Sequence, residues 1–340
     1  MRYGFTKSAL AAALFALALV SCAKVHTSTS NDAEKKKIEA WLSVNHPGVG
    51  ATGNGIYILE RKGASGERYK GETFIILNYT VRNMQGVISS TTDESVAKQI
   101  GTFSYSKYYG PKTWQIASNS LPAGLQEAIS YMSEGEEMTV LIPSWLMIYE
   151  QKKSAEAYFK NIPEESVNTS IYTISIENFT NDIIKSQVEE LEAFSEKYMG
   201  GADSVSYAYY YKQLKAPATQ DAFKRGDVVK VDYIGRLTSG KVFDTSIADT
   251  AKKYNIYSPS RAYAPLEISW GDSEADLKTT DSQSVDESDI IAGMRRALWN
   301  MKKGERGITA FTSAYGYGEK GSGASIPPFA PLAFDITVVE

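Results

Sequence analysis

Side chains that could act as nucleophiles, general bases or soft metal ligands are scarce in this sequence. It contains one cysteine, Cys22, and two histidines, His26 and His46, and all three lie close to the N-terminus. A histidine-based catalytic centre or a zinc site needs such side chains inside a folded domain. The sequence therefore argues against both kinds of site, and it predicts a protein that uses neither a metal nor a cofactor.

The C-terminal part of the chain instead carries short aromatic and aliphatic motifs in a fixed order. They read GDVVKVDY at 226–233, GKVFDT at 240–245, DIIAGM at 289–294, SAYGYG at 313–318, IPP at 326–328 and LAFDI at 332–336. In order and spacing these motifs resemble the FKBP family, the macrolide-binding peptidyl-prolyl cis-trans isomerases. The resemblance covers roughly residues 221–340. It implies an α+β fold in which a bent antiparallel sheet wraps around one short helix.

By this resemblance the domain contains an apolar pocket that accepts a proline ring. The implied catalytic residues are Tyr233, Phe243, Asp244, Tyr317 and Phe334, and the implied substrate-binding residues are Leu266, Ile290, Ile291, Met294 and Ile326. The Tyr317 hydroxyl would donate to a substrate carbonyl, and Asp244 would accept from Tyr233. The alternative is that Asp244 only anchors a loop and that Tyr233 and Phe334 are ordinary core aromatics. The joint spacing of the motifs favours the pocket.

An apolar pocket suits proline isomerisation because this reaction needs no nucleophile, metal or general base. Rotation about an X-Pro bond crosses a barrier of about 18–20 kcal/mol, which arises from the resonance of the planar amide. Water stabilises the charge-separated resonance form, and the twisted transition state is less dipolar at its oxygen. A cavity that replaces water therefore disfavours the planar amide relative to the twisted one.

Two positions of the implied pocket depart from the family pattern. Met294 stands where the family usually has an indole at the pocket floor, and Leu266 stands where it often has an aromatic ring. Methionine is flexible and fills irregular space, so the pocket is expected to be wider or less rigid. We therefore expect macrolide binding to be weakened, with turnover less affected.

The order of motifs recurs at a distance of about 155 residues, which indicates an internal repeat. The first copy keeps scaffold residues at Tyr79, Gly86, Gly124, Ile129, Met132, Gly135 and Glu136. Ser89 and Ser90 stand in place of the phenylalanine and aspartate of the second copy, and Leu146 and Ile148 replace two of its tyrosines. The first copy therefore resembles a degenerate FKBP domain.

A helix is predicted ahead of each copy. Ile38, Trp41 and Leu42 have helical spacing before the first copy, and a run over 183–198 has it before the second. Asn181-Asp182 could cap the second helix. The predicted division is a signal peptide at 1–21, a flexible tether at 22–32, a degenerate domain at 33–180, a linker helix at 181–202 and an isomerase domain at 203–340.

The first residues have the features of a targeting segment. Arg2 and Lys7 precede an apolar run, residues 9–20, that is too short to span a bilayer as a helix. The run ends in Leu-Val-Ser-Cys22, which resembles the bacterial lipoprotein cleavage box and implies that Cys22 is lipidated. An ordinary secretory peptide followed by an incidental cysteine is the alternative. Because Ala23 is not acidic, we expect an anchor in the outer membrane, facing the periplasm.

The charge of the chain bears on two classes of binding partner, nucleic acids and calcium ions. A net charge of −4 without a basic patch argues against nucleic-acid binding. The acidic run at 272–288 lacks the twelve-residue pattern of a calcium loop, so a solvated loop is favoured over a calcium site.

Together these features favour a lipid-anchored isomerase that assists the folding of exported proteins, with proline-containing unfolded or extended polypeptides as substrates. One alternative is a non-catalytic chaperone that holds clients with both domains. Another is a lipoprotein whose domains serve only for docking. The retained Phe243, Asp244 and Tyr317 favour the isomerase.

Overall fold

The computed structural model describes residues 30–63, 66–117, 120–162, 167–281 and 289–339. The first half contains α1 (Ser30–Asn45), β1 (Tyr57–Lys62), β2 (Phe74–Arg82), β3 (Ile88–Thr91), α2 (Glu94–Gln99), β4 (Lys112–Gln115), α3 (Ala123–Ser130), β5 (Glu137–Ile142), α4 (Ala155–Phe159) and β6 (Ser170–Thr180). The second half contains α5 (Ile183–Phe194), β7 (Ser204–Ser206), β8 (Tyr209–Lys215), β9 (Val228–Leu237), β10 (Val242–Thr245), α6 (Ala248–Lys253), β11 (Leu266–Ser269), β12 (Lys278–Thr279), α7 (Ala292–Asn300), β13 (Arg306–Phe311) and β14 (Leu332–Val338).

The two halves build antiparallel sheets with the same strand order. In the first sheet the order is β1-β5-β6-β2, and both β3 and β4 pair with β2. In the second sheet it is β8-β13-β14-β9, and both β10 and β11 pair with β9. Strands β7 and β12 extend the second sheet at its two ends. The predicted α+β class, with two similar domains and a helix ahead of each, is confirmed.

Each sheet wraps around one short helix that supplies the centre of its core. In α3 the buried side chains include Leu125, Ala128 and Ile129, and in α7 they include Met294 and Leu298. This is the one-sided spacing of a helix packed on a sheet.

The second residue of both helices is a glycine that the packing requires. A Cβ at Gly124 would overlap the Ile142 side chain, and a Cβ at Gly293 would overlap the Phe311 ring. The backbone of α7 therefore approaches its neighbours closely at Gly293, and the first domain has the same close approach at Gly124.

The helices that precede the domains are fixed in the same way. In α1, Glu34 accepts hydrogen bonds from the Ser144 backbone N–H at 2.9 Å and from the Ser144 hydroxyl. In α5, Gln187 accepts from the Ser313 backbone N–H at 2.8 Å, and its amide donates to the Ser313 hydroxyl at 3.1 Å. Both serines begin a 3-10 turn at the end of a strand.

Helix α5 also covers the outer face of the second sheet. Its Leu191 and Phe194 are buried in a cluster with Tyr210, Ile308 and Ala333. Asp182 caps its N-terminus by accepting from the Lys185 backbone N–H at 3.0 Å, as the sequence predicted. The segment predicted as a linker helix is therefore packed as a layer of the second domain.

Some of the predicted features lie outside the described residues. They include the signal peptide, Cys22 and most of the tether, and also residues 282–288 of the acidic run. Of the helices in the described ranges, none has the length and apolar character needed to cross a membrane.

Candidate active site

The hairpin of β9 and β10 positions Phe243 and Asp244. Thr245 pairs with Ile234 and Asp244 with Gly235, but the next pair is Val242 with Arg236, so Phe243 is the extra residue of a bulge. Bulges locally re-aim side chains, and they occur frequently beside active sites. The bulge therefore explains how consecutive residues can supply both an aromatic ring and a carboxylate to one place.

Gly235 gives two aromatic rings room to meet. A Cβ at this position would lie 2.8 Å from the Phe243 ring and 3.0 Å from the Phe334 ring. The two rings pack edge to face, with centroids 5.7 Å apart and an interplanar angle of 79°. The Phe334 ring also stacks on the fully buried Phe311 at 6.0 Å. Edge-to-face and offset stacking are the favoured arrangements of aromatic pairs, so this wall is well packed.

Asp244 is held at the rim by three donors. The Tyr233 hydroxyl donates to its Oδ2 at 2.7 Å, and the Thr245 backbone N–H donates to its Oδ1 at 2.9 Å. Arg261 forms an ion pair with Oδ1 and also donates to the Tyr233 hydroxyl oxygen at 3.1 Å. The predicted hydrogen bond from Tyr233 to Asp244 is thus present, and it forms part of a three-residue network.

The electrostatics of the rim keep its hydroxyl groups protonated. Burial raises the pKa of Tyr233, and the charge of Asp244 raises it further. Burial lowers the pKa of Arg261, but its hydrogen bond to Asp244 and that carboxylate's charge outweigh this, so the pKa lies above its ordinary value. Burial and then the nearby Asp244 also raise the pKa of Tyr317. Both tyrosine hydroxyls are therefore able to donate, and both carboxylate oxygens of Asp244 accept hydrogen bonds from the protein.

Tyr317 is the exposed member of the site. It follows the 3-10 turn Ser313–Tyr315, is 38% exposed, and lies close enough to Asp244 to feel its charge. No hydrogen bond of its hydroxyl to another described residue is present, so the group is accessible to a substrate acceptor. This fits the predicted role of a donor to a substrate carbonyl.

The structure brings the remaining predicted residues together in one hydrophobic cluster. Its buried members include Ile290, Met294, Ile326 and Phe334, and Tyr233, Phe243, Leu266 and Ile291 pack against it. Ile291 is the residue immediately before α7, and Met294 lies in the first turn of that helix. The assigned roles of these residues stay predictions, but the structure does bring them together in the core of the second domain.

Sequence reasoning missed Arg261, which lies in a loop between α6 and β11. A signal for it was present in the repeat. Residues 104–111 read SYSKYYGP and residues 258–265 read SPSRAYAP, with a cation at the same place in both. In each copy two serine hydroxyls bond to each other and a tyrosine hydroxyl accepts from a backbone N–H. Aligning these loops would have identified Arg261 and its counterpart, Lys107.

The equivalent place in the first domain has different chemistry. Its hairpin has the same bulge, and Ser90 pairs with Val81 as Asp244 pairs with Gly235. Tyr79 stacks at a tilt on Trp114, with centroids 5.3 Å apart.

Among the residues that the structure describes, no group of three or more histidine, cysteine, aspartate or glutamate side chains could hold a metal ion in either domain.

Comparisons with known proteins agree with the C-terminal motifs. Residues 271–339 match the family model for FKBP-type peptidyl-prolyl cis-trans isomerase. A probable FKBP-type peptidyl-prolyl cis-trans isomerase of Haemophilus influenzae is 30% identical over 160 residues, which make up 46% of this chain and 54% of that protein. FK506-binding protein 1 of Yarrowia lipolytica is 29% identical over 128 residues, or 38% of this chain and 93% of that protein.

Among solved structures, the three FKBP domains of wheat FKBP73 align with 84% of this chain and 94% of that one, at 18% identity and a TM-score of 0.29. The chain spans about half the length of its Haemophilus relative.

Proposed function

We propose that the chain is an FKBP-type peptidyl-prolyl cis-trans isomerase that acts through an apolar pocket of its C-terminal domain, because residues 271–339 match the family model for these isomerases. Its substrates are proline-containing segments of unfolded or extended polypeptides. Catalysis is non-covalent: the pocket removes water from the X-Pro amide, and the protein supplies oriented dipoles in its place.

The observation that carries the proposal is the network of Tyr233, Asp244 and Arg261 beside the crossed rings of Phe243 and Phe334. A proline ring has no polar group to satisfy, so an aromatic wall binds it by apolar burial alone. The substrate carbonyl does need a donor, and the accessible Tyr317 hydroxyl provides one. Because Asp244 is already bonded to three protein donors, it acts as a fixed charge and not as a base.

Met294 completes the pocket as a buried, unbranched side chain at the start of α7. A methionine can move to accept rings of different shape. We therefore propose a pocket tolerant of the residue before proline, with reduced affinity for rigid macrolides.

The test of this function is exchange spectroscopy on a short X-Pro peptide, with the full-length chain added in catalytic amount. The expected result is accelerated exchange between the cis and trans peptide signals. Spontaneous exchange takes tens to hundreds of seconds at 25 °C, so acceleration is readily measured. An unchanged exchange rate in the presence of folded protein would rule out the isomerase function.

We propose further that the protein acts on exported proteins from the cell envelope, anchored by lipid on Cys22. The polar run between Cys22 and α1 suits a tether. Wild-type protein is expected in the membrane fraction of cells and a Cys22→Ser variant in the soluble fraction. A Cys22→Ser protein that stays with the membranes would contradict the lipid anchor.

A further inference from the structure

A loop of the first domain reaches across to the second domain. This docking loop, residues 102–111, connects α2 to β4. It lies in the same position in the repeat as the loop that carries Arg261. In the second domain that loop contacts Asp244 and Tyr233 of its own domain through Arg261. In the first domain the equivalent loop contacts the neighbouring domain.

The docking loop contacts the segment that carries two pocket residues. This flap loop, residues 316–331, connects the 3-10 turn to β14 and includes Tyr317 and Ile326. The Tyr108 backbone N–H donates to the Ala324 carbonyl at 2.8 Å. The Tyr108 ring packs against the hydrophobic core of the second domain, and its hydroxyl donates to the Pro111 carbonyl at 3.0 Å. Tyr108 is therefore held to the first domain through its hydroxyl and to the second domain through its ring.

The same docking loop contacts the other wall of the pocket. Lys241 donates from its Nζ to the Tyr105 carbonyl at 2.8 Å. Lys241 immediately precedes β10, the strand that supplies Phe243 and Asp244. The Lys241 ammonium is partly buried, and this burial lowers its pKa.

Further contacts hold the far end of the flap loop. The Phe329 ring packs edge to face on Phe74 of the first domain, with centroids 5.2 Å apart. Gln187 of α5 donates to the Phe329 carbonyl at 2.9 Å. Phe329 has a positive φ of 59°, which is uncommon for a residue other than glycine and persists only where surrounding contacts enforce it.

The repeat shows that the docking contact is particular to the first loop. Tyr108 corresponds in the aligned loops to Ala262, which has no ring to insert. The other paired features of the loops, including the serine hydroxyl pair, are common to both copies. The large side chain therefore occurs only where there is a neighbouring domain to receive it.

We propose that the first domain positions the catalytic pocket of the second, with Tyr108 as the positioning residue. The docking loop joins the flap loop to the β9–β10 hairpin, so the two walls of the pocket are held at a set distance. Loops of this kind open at low free-energy cost unless they are braced. This inference rests on the proposed isomerase function for its kinetic consequence, but the bracing itself is a property of the structure alone.

The experiment uses the full-length chain with Tyr108→Ala. The KM for an X-Pro peptide is expected to rise by about 3- to 30-fold, the range of measured couplings through such contacts, with a smaller change in kcat. Hydrogen exchange of the amides of residues 318–326 is expected to accelerate, while that of β14 stays slow. Tyr108→Phe keeps the ring and is expected to restore both readouts.

Tyr105→Ala is the matched control. It removes an aromatic ring from the same loop, but the Tyr105 ring is 51% exposed and its bond to the second domain uses the main chain. Wild-type KM and exchange are expected for this variant. Unchanged exchange in Tyr108→Ala overturns the inference, and so does an equal effect of Tyr105→Ala. If the wild-type protein has no isomerase activity, the proposed function fails, and the exchange measurement still decides whether the flap loop is braced.

Discussion

The β2–β3 hairpin of the first domain and the β9–β10 hairpin of the second have the same backbone and different chemistry. Both contain a bulge at the same register position. In both hairpins the backbone N–H of the tyrosine in the longer strand donates to a side-chain hydroxyl at 3.0 Å, Tyr79 to Thr92 and Tyr233 to Ser246. Yet one bulge carries two serines and the other carries Phe243 and Asp244.

This difference shows that the fold does not depend on the side chains of the proposed site. The bulge, the helix glycines and the clamped 3-10 turns persist in both domains because the fold needs them. The first domain also has Val81 at the position of Gly235, facing Tyr172 where the second domain has Phe334. A Cβ at that position would collide with the ring that the site requires. The first domain therefore lacks both the space that the two rings occupy in the second and the side chains of the proposed site.

The largest effect is expected when the second hairpin loses the two side chains that the first hairpin lacks. Phe243→Ala with Asp244→Ala is expected to lower kcat/KM by about 100-fold. Removing one buried aromatic wall costs about 1.5–3 kcal/mol of binding, and loss of the carboxylate also frees Tyr233 and Arg261. Isomerase kinetics on the full-length chain measure the effect.

The control for this double variant is its repeat equivalent, Ser89→Ala with Ser90→Ala, which should retain wild-type kinetics. Circular dichroism should show an intact fold for both proteins. Equal losses from the two double variants would show that the first domain also contributes to catalysis.

Gly235→Val tests the space between the rings. It places in the second domain the side chain that the first has as Val81. Overpacking of a filled site costs typically about 1–3 kcal/mol, and here the strain falls on Phe243 and Phe334. We expect a lower melting temperature and a loss of kcat/KM of about tenfold or more. Wild-type activity in a stably folded Gly235→Val protein would show that the two rings need not meet.

Arg261 and Lys107 give a matched pair of cations. Arg261→Ala removes the ion pair with Asp244, whose side chain is 34% exposed, as Arg261 is 42% exposed. Solvent screening limits the worth of such a pair to about 1 kcal/mol, so kcat/KM should fall about fivefold. The repeat equivalent of Asp244 is Ser90, so Lys107 has no carboxylate there to pair with. Lys107→Ala should therefore leave the kinetics unchanged. Indistinguishable kinetics of the two variants would mean that the rim network does not assist turnover.

The smallest expected effect is that of Tyr317→Phe. One hydrogen bond between neutral groups contributes about 0.5–1.5 kcal/mol, so kcat/KM should fall about threefold while the apolar wall stays in place. Because the pKa of Tyr317 is raised, its hydroxyl stays protonated and the wild-type rate should not depend on this group between pH 6 and 9. If Tyr317→Phe lowered kcat/KM more than the Phe243 and Asp244 double variant does, Tyr317 would be more important for catalysis than the β10 side chains, contrary to this proposal.

Much of the fold could be predicted from sequence because local signals and the repeat agreed. The helix predicted around Ile38, Trp41 and Leu42 and the helix predicted from residue 183 are both present, as Ser30–Asn45 and Ile183–Phe194. The residues of the proposed pocket were predicted from motifs that keep a fixed order, and the structure places them in one core. Their aromatic contacts then followed from the register of β9, β10 and β14.

The features that escaped prediction all depend on contacts between distant segments. Arg261 reaches Asp244 from a loop with no regular pattern, so only the comparison of the two loops could have identified it. The role of α5 as a layer of the second domain depends on a sheet face formed by residues more than a hundred positions later, such as Ile308. The docking of Tyr108 on Ala324 has no local signal, because a tyrosine in a loop is equally compatible with solvent exposure.

The paired serine hydroxyls of the two loops bear on the history of the chain. The same pair, the same tyrosine hydroxyl cap and the same stacked aromatic pair occur in both copies, at Phe103 with Tyr109 and at Tyr257 with Tyr263. Independent origins would have to reproduce each of these details, so the ancestral single domain already had this loop before it was duplicated. In the first copy this loop contacts the second domain, and in the second copy it contacts its own hairpin, so one loop structure has two different partners within the same molecule.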